Sequence, residues 1–166
     1  MISRRMSSVA QPKDNNKAYS QTAGDTMPDV HTKAQRSYNM SRIRSKNTKP
    51  EELVRLFLFA HGYRYRKNDS RLPGKPDIVL RKYNTAVFVH GCFWHGHEGC
   101  RYYVEPVTNT DYWRSKIQRN RARDKDVANS LKQAGWNVLI IWECNLRKNA
   151  KQATLDSLLE HPFLKK

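Results

Sequence analysis

Cysteine is scarce in this chain. Three occur in 166 residues, an odd count that argues against a disulfide framework and leaves metal ligation or inert burial. Long apolar runs are missing as well. The longest strongly apolar stretch is Val138–Trp142, far short of the roughly 20 residues that span a bilayer. Residues 1–10 carry charge without the apolar core of a secretory signal, so we expect an intracellular protein. Acidic residues are few: 15 Asp and Glu face 31 Lys and Arg, for a net charge of +16. So basic a chain attracts polyanions, nucleic acid first among them. No basic amphipathic anchor points to a membrane surface, although charge alone also fits a structural RNA binder.

The length suits one domain with tails. Residues 1–35 are polar and aperiodic, and we expect a basic tail that stays disordered without DNA. Residues 36–147 hold the domain, and residues 148–166 a short helical tail. Thr48-Lys-Pro-Glu51 reads as a capping box opening a helix to His61, with Leu53, Leu56, Phe57 and Ala60 on one face. Strands follow over 63–67, 77–81 and 86–90. Thr110 is expected to cap a long helix to Ala134 with Trp113, Ile117, Val127 and Leu131 on one face, interrupted by Asn120 and Asp124. A fourth strand covers 136–143, and a short helix closes the chain near Leu155–Leu159. The order α-β-β-β-α-β predicts an α/β layer with a mixed sheet, the element order of the restriction-endonuclease-like core.

Four groups of residues carry chemistry. Asp77 starts a strand after the Leu72-Pro-Gly-Lys-Pro76 loop, a place from which a carboxylate can hold Mg²⁺ beside a phosphate. Residues 90–100 pack three histidines and two cysteines into eleven positions, a density of zinc-type ligands that packing alone does not explain. The remaining cysteine, Cys144, ends the fourth strand. We take Cys92, His97, Cys100 and Cys144 as one structural zinc site, with spacing leaving His95 open as an exchange for His97. His90 and His95 then remain beside Asp77, able to move a proton near neutral pH. Glu51 has capping as a sufficient role, yet it can also orient His95 if its helix packs over the strand ends. Phe93 and Trp94 read as an apolar wedge able to unstack a base step. Trp113 is equally a core anchor. Arg114, Lys116, Arg119, Arg121, Arg123 and Lys125 read as phosphate contacts on the long helix.

The runs Arg71-Leu-Pro-Gly-Lys-Pro-Asp77, Val89-His-Gly-Cys-Phe-Trp-His95 and Trp142-Glu-Cys144 closely resemble the very-short-patch repair endonucleases. The resemblance extends from about Val30 to Arg147 and takes in Tyr38-Asn-Met40 and Trp113 to Asp124. It implies a restriction-endonuclease-like fold with a structural zinc. It implies a bacterial cytoplasmic, nucleoid-associated enzyme, which nicks one strand 5′ of the thymine in T·G mismatches left by deamination of 5-methylcytosine. In that resemblance Asp77 binds Mg²⁺ with the backbone carbonyl of Val89. His95 activates water, Glu51 orients it, and His90 assists at the phosphate. Phe93, Trp94 and Trp113 enter the duplex from the major groove and Met40 from the minor groove. Lys116 and Asn120 meet the mispaired bases. Mismatch-repair proteins are implied partners, and a monomer suits a single nick. The third strand lacks the Glu-x-Lys of ordinary restriction enzymes and ends in His90 instead. Two rivals stand beside this reading: a restriction-type nuclease on matched DNA, and a non-catalytic zinc-stabilised DNA-binding module.

Overall fold

The computed structural model describes residues 32–43 and 45–165. The chain divides into two compact units, one through Arg42 and one from Ile43 onward. In the first, helix α1 (Lys33–Ser41) opens with a capping box in which Thr32 and Gln35 exchange bonds. Met40 lies exposed on this helix. The boundary expected after residue 35 falls inside α1.

The second unit runs α2 (Lys49–Ala60), β1 (Arg66–Lys67), β2 (Ile78–Leu80), β3 (Thr85–His90), α3 (Thr110–Gln133), β4 (Asn137–Trp142) and α4 (Lys151–Glu160). The sheet order is β1-β2-β3-β4, antiparallel across the first two pairs and parallel between β3 and β4. This is the mixed sheet expected from the element order. The α3 crossover makes the parallel pair possible, because parallel strands need a long connection. No helix among the described residues is long and apolar enough to cross a membrane.

One core joins Val54 and Leu58 of α2, Ile78 and Leu80 of β2, Val87 of β3, Leu139 and Ile141 of β4, and Leu155 and Leu158 of α4. The Tyr63 hydroxyl donates to the Leu164 carbonyl at 2.9 Å, so residues 148–165 belong to the second unit.

Three local details differ from expectation. The buried stripe of α2 is Glu51, Val54, Arg55 and Leu58. Leu53 and Phe57 flank it, while Leu56 is 62% exposed. The stripe is rotated because Glu51 and Arg55 face the start of β2. Only Arg66–Lys67 of the expected 63–67 strand pairs, because Tyr63 turns into the core. Asn109, at φ 52°, caps α3, and Thr110 is its first residue, bonded back to the Pro106 carbonyl.

Candidate active site and metal centre

The site is built on the C-terminal ends of β3 and β4. Parallel pairing sets His90 beside Trp142, and both chains continue two residues further to a cysteine, Cys92 and Cys144. The loop after His90 folds back through tight turns. His95 N–H donates to the Gly91 carbonyl, His97 N–H to Cys92, and Cys100 N–H to His97. Gly96 sits at φ 59° against α3, where a Cβ would meet Ile117 Cγ2 at 2.7 Å. Only glycine lets the loop lie so close to the helix.

This folding gathers Cys92, His97, Cys100 and Cys144, with ligand atoms all within 4.8 Å of one another. Cys144 Sγ lies 3.4 Å from His97 Nδ1. The exchange left open by spacing is resolved geometrically, since His97 joins the cysteines and His95 does not. Three thiols and an imidazole are the donor set of a closed, four-coordinate soft-metal site. Burial pushes the Cys92 thiol up to about 12. Bare, it would stay protonated, and a bound cation would make it a thiolate ligand. The residues therefore fit a structural metal.

His90, His95 and Asp124 form a second group. The two imidazoles stack at 3.8 Å, nearly parallel. His95 Nδ1 meets an Asp124 carboxylate oxygen, so Nε2 is the ring nitrogen turned away from Asp124. Burial, the largest single influence, raises the Asp124 carboxyl, yet the bond to His95 and the charges of His95, His90 and Arg123 together outweigh it and the net shift is downward. His90 is 6% exposed. Its burial, with the neighbouring His95, lowers it to about 4, which keeps it neutral near pH 7.

Asp77 completes the edge. Its carboxylate accepts the Val89 N–H at 2.8 Å. Burial pushes the acid up to about 6; the Val89 bond opposes this and the Glu51 charge adds to it. A half-buried carboxylate in this state is suited to a divalent cation, which would restore its charged form.

Glu51 takes the capping role read from the sequence. Its carboxylate accepts from Asn47 N, Thr48 N and Oγ1, and Arg55. It is committed to its own helix start and to Arg55, and Asp124 takes the position on His95 that sequence reasoning gave to Glu51. Asp124 announced itself only as a polar break in the α3 face, one turn beyond Asn120. Arg55 gave no signal.

Phe93, Trp94 and Trp113 form one half-buried cluster, with ring centroids 5.1–5.9 Å apart and edge-on or tilted. Lys116 Nζ sits 5.6 Å from the rings of both Trp94 and Trp113. Asn120 donates to the Trp94 carbonyl at 2.8 Å. The aromatic group, Lys116 and Asn120 therefore share one place, packed on α3 beside the histidines. Of the six basic residues read as phosphate contacts, Arg114 and Arg121 pair with Glu105 and Glu98 of the preceding loop.

Residues 28–101 match the family described as DNA mismatch endonuclease Vsr. The chain is 52% identical over 124 residues to the type II nicking enzyme V.NmeAIP of Neisseria meningitidis, covering 75% of this chain and 88% of that one. It is 45% identical over 135 residues to the type II nicking enzyme V.XorIIP of Xanthomonas oryzae, covering 81% and 98%. It is 43% identical over 125 residues to the DNA mismatch endonuclease Vsr of Escherichia coli, covering 75% and 80%.

Proposed function

The chain belongs to the Vsr family of DNA mismatch endonucleases, and from that premise we propose that it nicks one strand of duplex DNA 5′ of the thymine in a T·G mismatch, starting very short patch repair. Its setting would be DNA in the bacterial cytoplasm. The observation that carries the proposal is the contact of His95 Nδ1 with Asp124 on the strand edge that also presents Asp77. A carboxylate on one ring nitrogen fixes the tautomer and leaves the other nitrogen as the proton acceptor. Nε2 of His95 is then the base that takes a proton from water attacking the scissile phosphate. His90, neutral and stacked on His95, holds that ring in plane and presents an imidazole to the phosphate. Asp77, with the adjoining Val89 peptide, would hold Mg²⁺. A divalent ion bound there offsets charge developing on the phosphate and on its leaving oxygen. Cys92, His97, Cys100 and Cys144 would hold Zn²⁺ as a structural ion.

The aromatic cluster supports recognition. Phe93, Trp94 and Trp113 can be inserted at a base step, and a T·G step costs less to unstack and deform than a matched one. Lys116 and Asn120 lie against the same rings, where they would meet the mispaired bases. Met40 would act from the minor groove. Mismatch-repair proteins are the partners proposed for a monomeric enzyme.

A second reading is a restriction-type nuclease acting on matched DNA; the relatives named type II nicking enzymes carry no mismatch in their names. One assay separates the two. End-labelled duplexes with a single T·G pair in several contexts are incubated with or without Mg²⁺, beside the matched duplexes. A Mg²⁺-dependent nick 5′ of the T, absent from matched DNA, is expected. Equal nicking of matched DNA would replace the mismatch reading, and binding without a nick in any context would leave a DNA-binding module.

A further inference from the structure

Arg55 is a buried cation that the scheme above does not use. It is 5% exposed, on α2, beside Glu51 at 3%. Its guanidinium donates to three acceptors from three parts of the chain. They are Asn47 Oδ1 at 2.9 Å, Glu51 Oε2 at 2.7 Å and the main-chain carbonyl of Asp77 at 3.1 Å. The Asp77 carbonyl also accepts the Asn68 N–H, and its carboxylate accepts the Val89 N–H. Asp77 is thus gripped on both its peptide and its side chain, and Arg55 is the link from that grip to helix α2.

The arrangement is a poor investment for stability alone. A buried ion pair rarely improves on well-packed apolar residues. Here Arg55 Nε is also shielded from water with no hydrogen-bond partner among the described residues. Buried donors are nearly always paired, so one left unpaired calls for an explanation. Nη2 donates to both the Glu51 carboxylate and the Asp77 carbonyl while Nη1 reaches Asn47 Oδ1, an arrangement of three acceptors that suits a planar fork and not a point charge.

We propose that Arg55 is a positioning residue of the endonuclease site. By clamping the Asp77 peptide and the Glu51 carboxylate together, it sets the geometry in which this strand edge accepts a divalent cation. The inference rests on the reading of Asp77 as the cation-binding acid. It assigns to α2 a part in metal affinity and none in contact with DNA.

The test uses the full chain, loaded with zinc, as Arg55→Lys and Arg55→Gln. Four quantities are read: thermal midpoint, affinity for a T·G duplex without divalent ions, the Mg²⁺ concentration giving half-maximal nicking, and Mn²⁺ binding by electron paramagnetic resonance without DNA. Mutating residues that orient metal ligands typically weakens a site by about 10- to 100-fold. Arg55→Lys should therefore raise the half-maximal Mg²⁺ by about tenfold and weaken Mn²⁺ binding to a similar degree. Duplex affinity should stay within about twofold, because no phosphate contact is lost. A lower thermal midpoint with unchanged Mg²⁺ dependence and unchanged Mn²⁺ binding would make Arg55 a purely structural group and overturn the proposal. If neither variant folds, Asn47→Gly loosens the guanidinium while suiting the φ of 54° at that position. It should raise the Mg²⁺ requirement in the same direction, and no rise would again overturn the proposal. Asp77→Ala is run alongside. Full nicking by that variant would sink the Asp77 reading itself, whereas an inactive Asp77→Ala with unaffected Arg55 variants would sink only the role of Arg55.

Discussion

Replacing Asp77 by Asn should make the protein inactive and, without Mg²⁺, more stable. Burial raises the Asp77 carboxyl from 3.8 to about 6. The folded state therefore binds this proton more tightly than the unfolded chain does. The stabilisation from the bound proton is fully present below 3.8 and is lost as pH rises through about 6. A shift of roughly two units at about 1.4 kcal/mol each sets the cost of the ionised form near neutral pH at about 3 kcal/mol, as an upper figure. Asparagine keeps an oxygen for the Val89 N–H and carries no charge to desolvate. Urea unfolding of the zinc-loaded protein in Mg²⁺-free buffer is the assay, with no chelator that would strip the cysteine site. The Asn variant should exceed the wild type by up to about 3 kcal/mol at about pH 8, and the gap should close toward about pH 4. Adding Mg²⁺ should stabilise the wild type and leave the Asn variant unmoved, since only a ligand that binds the folded state shifts its midpoint. A stability difference independent of pH, or an equal Mg²⁺ response in both, would refute the reasoning.

The remaining predictions concern the other parts of the site. Asp124→Asn should slow nicking by about 10²–10³-fold at saturating DNA, with duplex affinity retained, because it removes the negative charge beside His95 Nδ1 that stabilises the protonated ring. Cys144→Ser should abolish zinc binding, read by atomic emission, and unfold the domain, read by circular dichroism, since it removes one of four gathered candidate ligands; a fully active, metal-free variant would contradict this. Trp94→Ala should weaken binding to a T·G duplex by about 1–3 kcal/mol, the scale of one base–aromatic stack, and matched DNA much less. The Asn120 bond goes to the Trp94 carbonyl and survives that change. Gly74→Ala should cost about 1–3 kcal/mol in urea unfolding, because φ is 72° and a Cβ would lie 2.4 Å from Val127 Cγ1. Adding Val127→Ala should recover part of the loss.

The sequence was most legible where a short-range pattern was also the final structure. The short apolar runs of β3 and β4 placed both strands, and their ends placed Cys92 and Cys144 side by side. The ligand density of residues 90–100 pointed to the cluster of Cys92, His97, Cys100 and Cys144 that could hold a metal. What stayed hidden depends on contacts between distant segments. Spacing does not distinguish His95 from His97, because the choice is made by which ring the loop turns toward Cys144 and which toward α3. Asp124 lies 29 positions from His95, and its only local trace was a polar residue on an otherwise apolar stripe. The α2 stripe was misjudged for a related reason. Hydrophobicity alone favours Leu56, yet Glu51 and Arg55 take the buried positions because their partners, Asn47 and the Asp77 carbonyl, lie on that side.

The two clusters are mechanically one object. His97 stacks on Trp142 at 3.9 Å, within 1° of parallel. Trp142 meets His90 edge-on at 5.4 Å, and His90 stacks on His95. A continuous series of rings thus runs from the cysteine cluster to the imidazole that faces Asp124. Close-packed interiors transmit displacement because no void takes it up, and general-base catalysis is sensitive to displacements of about 1 Å. A metal holding His97 against Cys144 would therefore also fix the plane of Trp142, and through it the stacked pair His90 and His95. This gives a physical reason for a structural ion to lie so close to the chemistry. The loop after β3 carries Phe93, Trp94, His95 and two of the cysteines between Gly91 and Cys100, and a segment that short has no core of its own with which to hold them.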